Sequence, residues 1–171
     1  LPANYTPQAV RNKELCKKAL MKDAGLRYDK DTPVFVMISR LVEQKGIKII
    51  GKAMEPLMSL PLQFILLGSG QELYHEWIQN WNQRWPEKFK GILGYNSDLS
   101  HRMEAGGDFF FMPSEFEPCG LNQLYSMRYG TIPIVNPTGG LKDTVSDYRL
   151  DKNHGTGLRM NAYSPEALLN C

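Results

Sequence analysis

Cysteine is scarce and badly placed for any shared task. Cys16, Cys119 and Cys171 lie too far apart for a disulfide framework or a zinc pattern, which points to a reducing compartment and argues against a bound metal. Histidine is equally sparse, and no Ser-His-Asp order, plausible Cys-His pair or His-Glu-x-x-His helix can be found, so hydrolase chemistry has little support. No apolar run approaches the roughly 20 residues required to cross a bilayer, and Leu1-Pro2-Ala3-Asn4-Tyr5 shows no charged stretch followed by an apolar one. Charge of one sign is missing too: 20 Lys and Arg against 18 Asp and Glu leave +2, too little to argue for nucleic acid or an anionic membrane as partner. Internal repeats and low-complexity segments are absent.

What is present is a regular alternation. With 42% hydrophobic residues the chain can bury one sizeable core, and 1–171 reads as a single domain. Thr6-Pro7 caps a first helix, with Val10, Leu15, Ala19 and Leu20 as its apolar stripe and Gly25 as its stop. Val34 to Ile38 then reads as a strand that is apolar on both faces, and the same sequence of elements repeats. Helices are expected over 47–58, 72–85, 97–105 and 120–129, and strands over 64–67, 89–93, 109–112 and 132–135. Strands alternating with helices imply crossover units and an α/β fold, a doubly wound parallel sheet of Rossmann-like type. Because no initiator Met opens the chain, and Ser164-Pro165 starts a helix with few residues left, a piece of a longer protein is expected.

Each strand delivers polar residues at its carboxyl end, where open α/β sheets bind ligands. The run Pro113-Ser114-Glu115-Phe116-Glu117-Pro118-Cys119-Gly120-Leu121-Asn122-Gln123 follows the strand at 109–112, placing Glu117 beside a helix start whose free amides attract phosphate oxygens. Arg40 and Lys45 flank the turn after the first strand, and Gly46 lets the backbone approach closely, so cations and a helix N-terminus make a candidate diphosphate clamp. The plain alternative is two solvated basic residues. Tyr95, after the strand at 89–93, offers a ring for stacking on a base, although packing is the commoner use of such a residue. Thr138-Gly139-Gly140-Leu141 is a further glycine-rich turn on this rim.

Other features read as structural. Gly68-Ser69-Gly70 is an incomplete dinucleotide fingerprint and is expected to be a tight turn. Asp29-Lys30-Asp31 precedes a strand on the wrong edge and is a solvated turn, and His101 is expected to be a surface or capping residue. Trp77, Trp81 and Trp85 recur every four residues and form a packing stripe. Cys119 sits at a helix start where thiol pKa falls, but no His is placed to partner it.

Taken in order, Ser39-Arg40-Leu41-Val42-Glu43-Gln44-Lys45-Gly46, Gly94-Tyr95, Ser100-His101-Arg102, Pro113 to Tyr125, Met127-Arg128-Tyr129-Gly130-Thr131-Ile132-Pro133 and Thr138-Gly139-Gly140-Leu141-Lys142-Asp143-Thr144-Val145 resemble the C-terminal half of glycogen and starch synthases. These are retaining glucosyltransferases of the GT-B architecture, and the resemblance covers nearly the whole chain. It implies a donor-binding domain taking ADP-glucose or UDP-glucose, α-1,4 transfer to a glucan acceptor with retention, and no cofactor or obligatory metal. Arg40, Lys45 and Glu117 would be the catalytic residues, the cations neutralising the departing diphosphate and the carboxylate orienting the sugar. Tyr95, Cys119, Gly120, Leu121, Asn122, Thr138, Gly139 and Gly140 would meet the donor. The compartment implied is bacterial cytoplasm or plastid stroma.

This sequence departs from the family in three respects. Asn136-Pro137 stands where many members carry Arg, and Tyr125 stands where related transferases have a second Glu. Beyond these, the N-terminal domain with its Lys-x-Gly-Gly-Leu loop, its His and most acceptor contacts is not in the sequence, so the fragment is expected to bind donor weakly and not to elongate glucan. The alternatives are a non-catalytic nucleotide-sugar or glucan-binding module, or the donor half of a sucrose or trehalose-phosphate synthase.

Overall fold

Every apolar run expected to be a strand is one. In the computed structural model, which describes residues 1–171, the strands are β1 (Val34–Leu41), β2 (Gln63–Gly70), β3 (Phe89–Leu93), β4 (Phe109–Met112), β5 (Ile132–Val135) and β6 (Leu158–Arg159). The helices are α1 (Lys13–Ala24), α2 (Ile47–Ser59), α3 (Glu72–Arg84), α4 (Ser97–Gly106), α5 (Asn122–Arg128), α6 (Gly139–Thr144) and α7 (Pro165–Leu169). All the strands are parallel, in the order β3-β2-β1-β4-β5-β6. Chain order therefore runs outward from β1 to one edge, returns through α4, and continues from β4 to the other edge. The reversal between β1 and β4 opens a crevice beyond their carboxyl ends.

Strand alternation supplies both faces with apolar groups. Phe64, Leu66, Met37 and Phe111 join Ile50, Met54, Tyr74 and Ile78 of α2 and α3 in one core; Val34, Val36, Ile65, Leu67 and Phe110 join Leu20, Met21, Leu99 and Met103 of α1 and α4 in the other. Burial on both faces explains why these strands read as continuous apolar runs. Trp81 is buried against Phe89, and Trp77 and Trp85 pack partly buried beside it, so the aromatic stripe is packing as expected. No helix is long and apolar enough to cross a membrane.

Several local expectations change. The first helix begins as a 3-10 turn over Pro7–Asn12 with a kink at Ala9, and α1 buries Cys16, Lys17, Leu20, Met21 and Ala24 while Val10 and Leu15 stay exposed. The buried stripe follows Lys17 because its ammonium donates to the Thr32 carbonyl (2.9 Å) and pairs with Asp108 (2.7 Å), whose same oxygen accepts the Val34 N–H. Gly68, Ser69 and Gly70 are not a turn: they continue β2, paired with Ser39, Arg40 and Leu41. A Cβ on Gly68 or Gly70 would lie 2.2 Å from the Ser39 or Leu41 carbonyl oxygen, so glycine is what permits the strands to run on together. The Asp29 turn is solvated as expected, its carboxylate accepting from the Asp31 amide and the Thr32 hydroxyl. The two-residue β6 carries too little pattern to have been anticipated.

Candidate functional site

Extension of β1 to Leu41 places Arg40 within the strand's last residues, exposed, its guanidinium without a hydrogen bond or ion pair to the protein. The chain then turns through Glu43–Lys45 and enters α2 at Gly46, whose left-handed φ of 77° reverses its direction. Lys45 is thereby aimed into the crevice, where its ammonium meets the Glu117 carboxylate at side-chain exposures of 17% and 11%. The clamp lysine and the proposed sugar carboxylate, expected as separate groups, are thus a directly bonded pair in the free protein. Glu117 uses Oε2 for this, with the Ser114 hydroxyl 3.5 Å away, which leaves Oε1 without a protein donor.

The 113–120 loop holding Glu117 is strapped on two sides. From the β1 side, Gln44 accepts the Glu115 N–H on its carbonyl (2.9 Å) and donates its amide to the Phe116 carbonyl (2.9 Å). From the β5 side, Asn136 donates to the Ser114 carbonyl (2.8 Å), and the Gly140 N–H donates to the carbonyls of Glu117 (3.0 Å) and Pro118 (3.2 Å). A Cβ on Gly139 or Gly140 would stand 2.2 or 2.0 Å from the Glu117 or Cys119 carbonyl oxygen. Behind the loop, fully buried Gln123 donates to the carbonyls of Cys119 (3.1 Å) and Gly120 (3.0 Å).

These contacts reassign two expectations. Of the Gly139-Gly140 turn, expected to meet phosphate or ribose through its amides, the Gly140 amide is engaged by the loop, and both glycines permit close backbone approach. The helix expected from Gly120 starts at Asn122, because Gly120 has φ 72° and Leu121 is not helical. Even so, the N–H groups of Gly120, Leu121 and Asn122 donate to no protein acceptor. Cys119 is exposed and free, with no histidine in contact. Thr138 precedes α6, its N–H bonded to the Asn136 carbonyl.

Two adjoining cavities make up the crevice. One, of about 210 Å³, is lined by Arg40, Lys45, Ser114, Glu117, Gly120 and Asn122. The other, of about 400 Å³, shares Ser39, Arg40 and Asn122 with it and extends past Ser69 and Tyr125 to Tyr95 and Glu104. Asn122 lines both, its side-chain amide donating to the Ile38 carbonyl within β1 (3.0 Å). Tyr95 is 90% exposed and stacks on no ring, so the packing alternative fails for it. His101 and Glu104 lie in the second cavity's wall; burial raises the Glu104 carboxyl above its ordinary range, and His101 opposes that shift.

Gln44, Ser114, Gln123, Asn136 and Glu104 were not anticipated. Asn136 alone had a signal, being the polar residue at the end of β5, but it reads there only as a missing positive charge. Since its bond bridges β5 to the loop, Asn136→Ala should cost about 1–2 kcal/mol, a hydrogen bond plus an unsatisfied carbonyl. That corresponds to a melting-temperature fall of roughly 2–8 °C for a chain of this size, measured by calorimetric unfolding.

Comparison with known proteins gives concordant results. A family model described as "Glycosyl transferases group 1" matches residues 21–170. The chain is 45% identical over 169 residues to a glycogen synthase of Anaeromyxobacter dehalogenans, covering 99% of this chain and 35% of that protein. It is 44% identical over 170 residues to glycogen synthase 1 of Geobacter metallireducens, covering 99% and 34%. The catalytic domain of starch synthase IV from Arabidopsis thaliana, solved bound to ADP and acarbose, superposes with a TM-score of 0.93 at 34% identity, covering 99% of this chain and 36% of that one. A sucrose-phosphate synthase from Thermosynechococcus elongatus shares the fold at TM-score 0.69 and 22% identity. The chain thus spans about a third of the length of the curated relatives it matches.

Proposed function

The chain belongs to the group 1 glycosyl transferases, and we propose that it is the nucleotide-sugar-binding half of a glycogen or starch synthase, with ADP-glucose or UDP-glucose as donor and an α-1,4-glucan as acceptor. The observation that carries this is the convergence, at the switch point between β1 and β4, of the unpaired Arg40, the Lys45 and Glu117 pair and the unengaged amides of Gly120, Leu121 and Asn122. Such a set suits a diphosphate bonded to a sugar: cations and amides for the phosphates, a carboxylate for the hydroxyls. Similarity to a starch synthase solved with ADP supports a nucleoside diphosphate as the ligand.

In this reading, Lys45 keeps one of its three N–H donors on Glu117 and offers the others to phosphate oxygens. Glu117 Oε1 is open to a sugar hydroxyl and so orients the anomeric carbon. As the glycosidic bond breaks, negative charge accumulates on the leaving diphosphate, and Arg40 and Lys45 stabilise it in place of a metal. Transfer with retention would require the acceptor-binding half, and the exposed Phe116 and Leu121 beside the site are proposed to face it.

Calorimetric titration of the chain with ADP-glucose and UDP-glucose tests the reading directly; binding of neither would overturn it. Tyr95 offers a second check, since its exposure means that the fold does not depend on it. Tyr95→Ala should weaken nucleotide binding by about 1–3 kcal/mol, the range for a base on an aromatic ring, with no change in melting temperature, while Tyr95→Phe retains affinity. Equal affinity in Tyr95→Ala and the unsubstituted chain would remove the ring from the site.

A further inference from the structure

The donor-site reading leaves one buried acid that no protein donor holds at hydrogen-bonding distance. Three acidic side chains are buried: Glu117 is matched by Lys45, and Asp147 by the Arg149 guanidinium and backbone amides. Glu104 is 3% exposed, and its Oε2 is buried without a hydrogen bond. His101 Nδ1 stands 3.6 Å from Oε2, an ion pair only when the imidazole is protonated, and lies within 3.4 Å of the Tyr129 hydroxyl. A buried acceptor left unmatched costs about 1–3 kcal/mol, more when charged, so its retention calls for a donor from outside the protein.

Position identifies that donor. Glu104 is the sole acid lining the 400 Å³ cavity, whose wall also holds Tyr95, Arg40 and Asn122. Its backbone is held firmly: the Glu104 carbonyl accepts the Thr131 hydroxyl, and the next carbonyl, Ala105, accepts Lys13 Nζ (2.8 Å) and the Tyr5 hydroxyl (3.2 Å). A nucleotide lying with its diphosphate at Arg40 and its base at Tyr95 brings its pentose into this same cavity, whose one acid is Glu104. The pentose carries a vicinal pair of O–H donors, and a carboxylate presents two acceptor oxygens, the pairing that acidic residues make with ribose in other dinucleotide-binding sheets.

We propose that Glu104 is the acceptor for the ribose hydroxyls of the bound nucleotide, making this a site that distinguishes ribonucleotides from deoxyribonucleotides; the inference rests on the donor-site reading above. Titration with ADP, 2′-deoxy-ADP and 3′-deoxy-ADP tests it. The unsubstituted chain should bind at least one deoxy analogue about tenfold more weakly than ADP, as for a hydrogen bond to a charged group. Glu104→Gln should weaken ADP by a similar factor and shrink its advantage over that analogue. Equal affinity of the unsubstituted chain for all three, or an ADP preference that survives in Glu104→Gln, overturns the inference while leaving the donor site standing. Failure of ADP itself to bind the unsubstituted chain overturns the donor-site reading first.

Discussion

Lys45→Ala is expected to weaken nucleotide-sugar binding by roughly ten- to hundredfold and also to lower the melting temperature, whereas Arg40→Ala produces the first effect without the second. The difference lies in what each cation touches. Lys45 is the partner of a carboxylate only 11% exposed, so its removal strands a charge in a poorly solvated crevice as well as deleting a phosphate donor. Breaking a buried pair from one side costs about 3–5 kcal/mol, and residual exposure places this one near 3. For a chain of this size that is a fall of roughly 6–12 °C. Arg40 has no protein partner, and its loss changes melting little. Each cation bonded to phosphate contributes about 1.5–3 kcal/mol, a ten- to hundredfold loss of affinity on removal. Calorimetric titration with ADP-glucose, paired with thermal unfolding, reads both quantities. Retained affinity in Lys45→Ala would exclude its ammonium from the phosphate site, and unchanged melting would show that Glu117 does not depend on it.

Gly46→Ala should be about as damaging, by a different route. Its φ of 77° is left-handed, which costs an L residue roughly 1–2 kcal/mol. The added Cβ would also lie 1.9 Å from the Pro113 carbonyl oxygen and 2.7 Å from its carbon. Backbone atoms cannot rotate aside, so either α2 or the 113–120 loop must shift. That shift separates Lys45 from Glu117, since the two flank the contact in sequence. A loss of about 3 kcal/mol or more is expected, together with loss of donor binding. Gly25→Ala is the control: φ is 68°, yet nothing lies within 4 Å of the added atom, so conformational strain acts there alone. If the two variants melt within about 2 °C of each other, a gap of under roughly 1 kcal/mol, the close approach of Pro113 is not what Gly46 provides.

How much of this was legible in the sequence depended on range along the chain. Strand identity was, because Val34 to Ile38 and Phe109 to Met112 are continuous apolar runs, which only a sheet covered on both faces explains. The terminal helix was too: Ser164 caps it by accepting the Ala167 N–H, as Ser before Pro165 suggests. Local pattern misled where a long-range contact overrode it. Val10 and Leu15 look like core but stay exposed: Val10 lies in the 3-10 turn, and α1 packs Leu20, Met21 and Ala24 into the core with Lys17 reaching Asp108, 91 residues away. Gly68 to Gly70 look like a turn but prolong β2, because β1 runs beside them to Leu41.

The same division runs through the site. Sequence by itself determined that Arg40, Lys45, Tyr95, Glu117, Gly139 and Gly140 gather on one rim, since each follows a strand of a parallel sheet and the carboxyl ends of such strands share an edge. It could not determine that β1 and β4 are neighbours, because strand order is set by crossover connections and not by any strand's composition. That adjacency brings Lys45 onto Glu117 across 72 residues; the Gly139-Gly140 pair seats the loop, and Glu104 lies buried in the wall of the crevice with its Oε2 unbonded. Burial and hydrogen-bond satisfaction belong to pairs of segments, and only the folded chain decides which segments meet.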